Sequence, residues 1–153
     1  MYSMKGVLLD MNYMAKYNEL MDMIGHSREY QLEKILLLEA KRFNIDFENS
    51  IFYIQNLFLE SKKSRLFIFS PEKVILLSIE DDKECLIGGQ FSDRKYIKNF
   101  WYGKKYYDEQ YQITFKLNDT DCVLTPNIDT NSHHAGNYNK IAIDIIDYFI
   151  KSN

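Results

Sequence analysis

Along the chain the spacing of apolar positions changes twice, from three and four to a strand-like pattern and back again, and the stretch that fixes the architecture is residues 66–80. Two apolar runs, 66–69 and 74–79, flank Ser70, Pro71, Glu72 and Lys73. Proline presets φ for the second position of a turn and the Ser70 hydroxyl can bond the turn backbone, so the pattern predicts a β-hairpin. Both runs are almost continuously apolar rather than alternating. That places the hairpin at the centre of a sheet, covered on at least one face and partly on the other.

Upstream, Met14, Tyr17, Met21 and Ile24 recur at helical spacing and predict a helix over 11–24, with Gly25 as its left-handed C-terminal cap and Ser27 as the N-cap of the next. Leu32, Ile35, Leu36, Ala40 and Phe43 form one stripe over 28–43, so residues 1–45 read as a helical hairpin. All six methionines fall within the first 23 residues. A thioether-rich face re-packs readily, but core filling is its commoner use.

Downstream, residues 51–59 read as a strand, 61–65 as a basic loop, 81–83 as a turn, and 84–87 as a strand that Gly88 and Gly89 end or kink. Residues 94–115 are the most aromatic section, and Gly103 is expected to divide it into two strands. Alternation is clear over 111–117: Tyr111, Ile113, Phe115 and Leu117 share one face, whereas Gln112, Thr114 and Lys116 share the other. A turn over 118–121 leads into a strand at 122–125 that Pro126 stops, then a polar connection over 127–136. Tyr138, Ile141, Ala142, Ile145, Ile146 and Phe149 mark a closing amphipathic helix. The whole reads as one α+β domain over 1–153: a helical hairpin extension at 1–45, then an antiparallel bent sheet or barrel of six or seven strands with a C-terminal capping helix over 50–152.

Composition narrows this picture. The 153 residues carry a net charge of −3, so nothing global draws the chain to nucleic acid or to an anionic membrane. Cys85 and Cys122 belong to no C-x-x-C pair, which leaves a zinc framework unsupported and reduced core thiols as the expectation. No run is long enough to span a bilayer and the N-terminus lacks the features of a secretory signal; a cytoplasmic protein is expected, without membrane insertion. Abundant Asn, Lys, Ile and Tyr resemble the product of an AT-rich bacterial or phage genome.

The hairpin at 66–79, with Ser70, Pro71, Glu72 and Lys73 at its turn, and the closing helix at 137–151 resemble the bacterial branch of the pleckstrin-homology-like (PH-like) family over about residues 50–152. The resemblance implies a strongly bent sheet whose open end is plugged by the helix, and a protein that binds lipids, peptides or proteins rather than one that catalyses. The N-terminal helix pair is not part of that pattern.

Two stretches tempt a chemical reading. His133 and His134 lie near Asp119, Asp121 and Asp129 in sequence, but adjacent histidines do not supply the three or four convergent ligands of a zinc site, so an exposed loop before a helix is expected, with no metal and no cofactor. Arg94, Lys95, Lys98, Lys104 and Lys105, interleaved with Tyr96, Phe100, Trp101 and Tyr102, combine cations with stacking surfaces. Lys62, Lys63 and Arg65 lie in the inter-strand loop that carries basic residues in lipid-binding members of the resembled fold. Trp101, the only tryptophan, is expected to be buried. No nucleophile, base and orienting group stand in a recognisable relation, so the chain reads as no enzyme but a module that recognises another protein, with nucleic acid or an anionic ligand as the alternative and self-association left open.

Overall fold

A computed structural model describes residues 15–25, 29–59 and 63–151. The first two helices are α1 (Tyr17–Ile24) and α2 (Gln31–Ala40). Seven strands follow: β1 (Ile51–Gln55), β2 (Arg65–Phe69), β3 (Lys73–Asp81), β4 (Leu86–Asp93), β5 (Lys98–Lys105), β6 (Gln110–Leu117) and β7 (Thr120–Leu124). A short helix α3 (Pro126–Asp129) and the closing helix α4 (Ala135–Ile150) complete the chain. The strands form two antiparallel sheets, a four-stranded one in the order β1-β2-β3-β4 and a three-stranded one in the order β5-β6-β7.

The hairpin forms where the turn chemistry places it. Ser70 Oγ donates to the Lys73 carbonyl at 2.9 Å and accepts from the Lys73 N–H at 3.1 Å, closing the turn around Pro71. β2 is buried throughout after Arg65 because both faces of the sheet are covered at this strand. Tyr53, Phe67 and Phe69 face the second sheet and α4, where Phe67 and Phe69 meet Phe115 edge-on at 6.1 and 5.9 Å and Tyr53 meets Tyr138 at 5.0 Å. Phe52 and its register partner Ile68 lie on the opposite face, and Phe52 packs on Tyr17 of α1 at 5.5 Å. Near-continuous apolarity was therefore the signature of a strand buried on two sides. The closing helix buries Tyr138, Ile141, Ala142, Ile145 and Ile146, the stripe its periodicity marks.

Glycine is where the pattern misleads. Gly25 sits at φ −64°, in the right-handed region, rather than in a left-handed cap. Gly88 and Gly89 lie inside β4, and a Cβ on Gly89 would come within 2.9 Å of the Leu77 side chain, so the missing methyl makes room for a cross-strand neighbour. Gly103 likewise lies inside β5; the break falls later, at a turn over 106–109 in which Glu109 has φ 51°. β1 ends at Gln55, short of the expected 59, because Asn56 and Phe58 turn the backbone at φ 71° and 69°. Both cysteines are free, but only Cys122 is in the core; Cys85 is exposed in a turn at φ 52°. Residues 11–14 of the expected first helix, the proposed cap Ser27 and Lys62 lie outside the described residues. Among the described residues no helix is long and apolar enough to cross a membrane.

Candidate functional site

The three-stranded sheet has one covered face and one open face, and strand register assigns every side chain to one or the other. Ile113, Phe115, Leu117, Cys122 and Leu124 point inward and are buried. On the open face the register sets Trp101 beside Thr114 and Val123, Gly103 beside Gln112, Lys105 beside Gln110, and Lys98 beside Lys116 and Asp121. Lys116 and Asp121 pair at 3.7 Å, and both ends are solvent-exposed, so the pair contributes little. An irregularity between Lys98 and Trp101, with Asn99 at φ 58°, turns Phe100 inward onto Phe149 at 4.5 Å and leaves Trp101 facing out.

Trp101 is thus 52% exposed, contrary to the expectation of burial. Its indole lies across Gly103 two residues on: a Cβ there would sit 2.5 Å from the far ring carbon. The ring is thus seated against its own strand at Gly103 and remains accessible to solvent as a platform. A shallow groove of about 410 Å³ runs from it past Gly103, Lys105, Gln110 and Gln112 to Thr125. What this face can do chemically is stack a flat or apolar group on the indole while amide, hydroxyl and ammonium groups bond around it.

The sequence candidates do not converge on that face. Arg94 is structural: its guanidinium stacks 3.6 Å above the Tyr148 ring, its Nη1 donates to the Pro71 carbonyl, and its backbone N–H donates to the Glu72 carbonyl. Arg65 donates through Nε and Nη2 to Gln55 Oε1 at 3.0 and 2.8 Å and lies over Phe67. Lys104 points to the other face, over Tyr106 and Tyr111, together with Tyr102, the register partner of the inward-pointing Ile113. Lys95 and Tyr96 lie in a single 3₁₀ turn (Arg94–Tyr96), where the Lys95 ammonium sits 5.2 Å over the Tyr96 ring. Lys63 is exposed in the loop before β2. Only Lys98 and Lys105 share the open face with Trp101.

The histidine stretch is a packing element. His134 stacks on Phe58 at 4.6 Å, meets His133 edge-on, and its backbone N–H donates to Asn131 Oδ1. Burial, and then the neighbouring His133, hold the His134 imidazole below its usual value. Among the described residues no group of three or more His, Cys, Asp or Glu is placed to hold a metal ion. Asp129 is engaged elsewhere: Oδ2 accepts from the Tyr53 hydroxyl at 2.6 Å and the Thr125 N–H at 2.7 Å, and Oδ1 from the Gln55 amide at 3.1 Å. Burial pushes the Asp129 carboxyl up against the opposing pull of those donors. The cluster ties β1 to β7 and α3, since the same Gln55 amide also reaches the Val123 carbonyl at 2.8 Å. Sequence reasoning missed it; a proline opening a helix with an acid in its first turn was the local signal. Comparison of the chain with protein-family models, with curated proteins and with solved structures found no match.

Proposed function

We propose that the protein is a non-catalytic recognition module that binds another protein through the open face of the β5-β6-β7 sheet, with Trp101 as its anchor. The observation that carries this reading is the outward indole laid over Gly103. Tryptophan dominates binding hot spots because it buries a large rigid surface at small conformational cost, and here it is held in place by its own strand before any partner arrives. The surroundings suit a protein interface: Thr114, Val123, Gln110 and Gln112 make a mixed rim around the ring. Four strands, three strands and a closing helix, in that order, support the PH-like resemblance, whose members work mostly by binding.

Affinity capture from lysate with the wild type and with Trp101→Ala, run beside thermal melts of both, tests the reading. A partner retained by the wild type and lost by a variant of unchanged melting temperature is the expected result. Identical captures from the two proteins would remove Trp101 as the anchor.

A further inference from the structure

The two sheets have four outer edges, and three of them are met by other parts of the chain. Along β1, the Phe52 N–H donates to the Ala15 carbonyl, the Ile54 carbonyl accepts from the Tyr138 hydroxyl, and the Asn56 N–H just beyond the strand donates to the Asp129 carbonyl. At β7 the Gln55 amide donates to the Val123 carbonyl. At β4 the Asn118 amide donates to the Phe91 carbonyl at 3.2 Å, and Gln90 bonds Thr120. β5 ends its sheet, and among the described residues no hydrogen bond from another element reaches its outer edge. Unpaired N–H and C=O groups in a row are a template for another strand.

We propose that this edge, over residues 101–105, takes an added strand from an acidic segment of the protein partner. The inference deepens the protein-recognition reading and rests on it. Charge selects the partner. Residues 94–107 carry five cations and not one carboxylate, in a chain whose net charge is −3. Arg94 is committed to Tyr148 and Pro71, but Lys95, Lys98, Lys104 and Lys105 are exposed and none pairs with a carboxylate among the described residues. Their distribution favours a polypeptide over a nucleic acid. Lys98 and Lys105 stand on the open face of β5, and Lys104 stands on the other. A docked strand sends successive side chains to alternate faces, so its carboxylates would meet ammonium groups on both, whereas a phosphate backbone tracks cations gathered on one face. The same lysines oppose pairing of β5 with a second copy of itself, because like charges would then face each other across the new ladder. The edge is therefore closed to self-addition and open to an acidic strand, with Trp101 at its upstream end to cover an apolar side chain of the guest.

Three synthetic peptides of one length, built on a repeat of one valine followed by two glutamates, two glutamines or two lysines so that the polar side chains fall on both faces of an extended strand, test the proposal on the intact chain, with oligothymidylate as a nucleic-acid probe. Titrations are followed by backbone amide NMR shifts and by Trp101 fluorescence at low and high salt. The glutamate peptide is expected to shift the amides of residues 101–105, to slow their hydrogen exchange, and to bind less tightly as salt rises. Replacing Lys98, Lys104 and Lys105 together by glutamine is expected to weaken it by about tenfold, the sum of three exposed ion pairs. Equal binding of the glutamine peptide, amide shifts confined to another edge, or oligothymidylate binding more tightly than the glutamate peptide at these residues would each overturn the proposal. Absence of peptide binding alongside a captured partner that Trp101→Ala still loses would overturn strand addition alone and leave the Trp101-anchored reading standing.

Discussion

β2 and β5 are comparably rich in aromatic side chains, yet the first is core and the second is surface. In β2 every side chain from Leu66 to Phe69 is buried, because α1 and α2 lie over one face of the sheet and α4 with the second sheet over the other. In β5 Phe100 turns inward onto Phe149, while Trp101 lies over Gly103 on the open face and is left to the solvent. Aromatic content alone carries no information about burial. What decides it is how many layers of structure the chain can supply, and among the described residues a third layer lies only over the first sheet.

Removing an aromatic ring from each of the two sheets gives the largest contrast. Phe69→Ala, which deletes the ring packed against Phe115, Tyr148 and Phe149, is expected to lower unfolding free energy in urea by about 3 to 5 kcal/mol. A loss below about 1 kcal/mol would show that the covered sheet is less tightly packed than its burial implies. Next comes Tyr138→Phe, which leaves the Ile54 carbonyl on the edge of β1 without its hydroxyl partner and is expected to cost about 1 to 3 kcal/mol by the same measurement.

Smaller effects follow from titration. The folded-state pKa of Asp129 is raised, mainly by burial, above its value in the unfolded chain. The native state therefore holds that proton more tightly, and the resulting stabilisation is fully present below the unfolded pKa of about 4 and lost as pH rises through the folded value. The stability of the wild type relative to Asp129→Asn, measured by thermal melts across that window, is expected to fall with rising pH. A difference that grows with pH would reverse the sign of the shift and make the three donors, rather than burial, the dominant influence. The smallest stability change belongs to the open face: Trp101→Ala is expected to cost under about 1 kcal/mol, and native emission is expected to be red-shifted and readily quenched by iodide. A blue-shifted, protected emission would turn the open face into a covered one.

The order of elements was legible because it rests on local periods: the turn at Ser70 and Pro71, the alternation of 111–117 and the stripe of α4 all report neighbours a few residues apart. Faces were harder to read. A period states which side chains lie together but not what covers them, so Trp101 could be assigned a strand and not an environment. Glycine was misread for a related reason. Gly103 serves as a seat for the Trp101 ring and Gly89 as space for Leu77, and both roles depend on partners that a chain-breaking rule does not consider. The cationic cluster dissolved because Arg65 and Arg94 are drawn to aromatic rings and carbonyls brought near by folding. Asp129 was the furthest out of reach, since Tyr53 comes to it across 76 positions.

The hydroxyl of Tyr138 that reaches back across 84 positions to Ile54, and that of Tyr148 that reaches 78 positions to Ser70, also set an order of events during synthesis. The strands of the first sheet leave the ribosome well before the helix that covers their inner face. Until residues 138–149 emerge, Phe67, Phe69, Val74 and Leu76 have no closing helix to meet, and the nascent chain carries an apolar sheet face open to chaperones or to neighbouring chains. A chain released early, even one complete through β7, would carry the strands of both sheets and still expose the apolar surface that the closing helix covers.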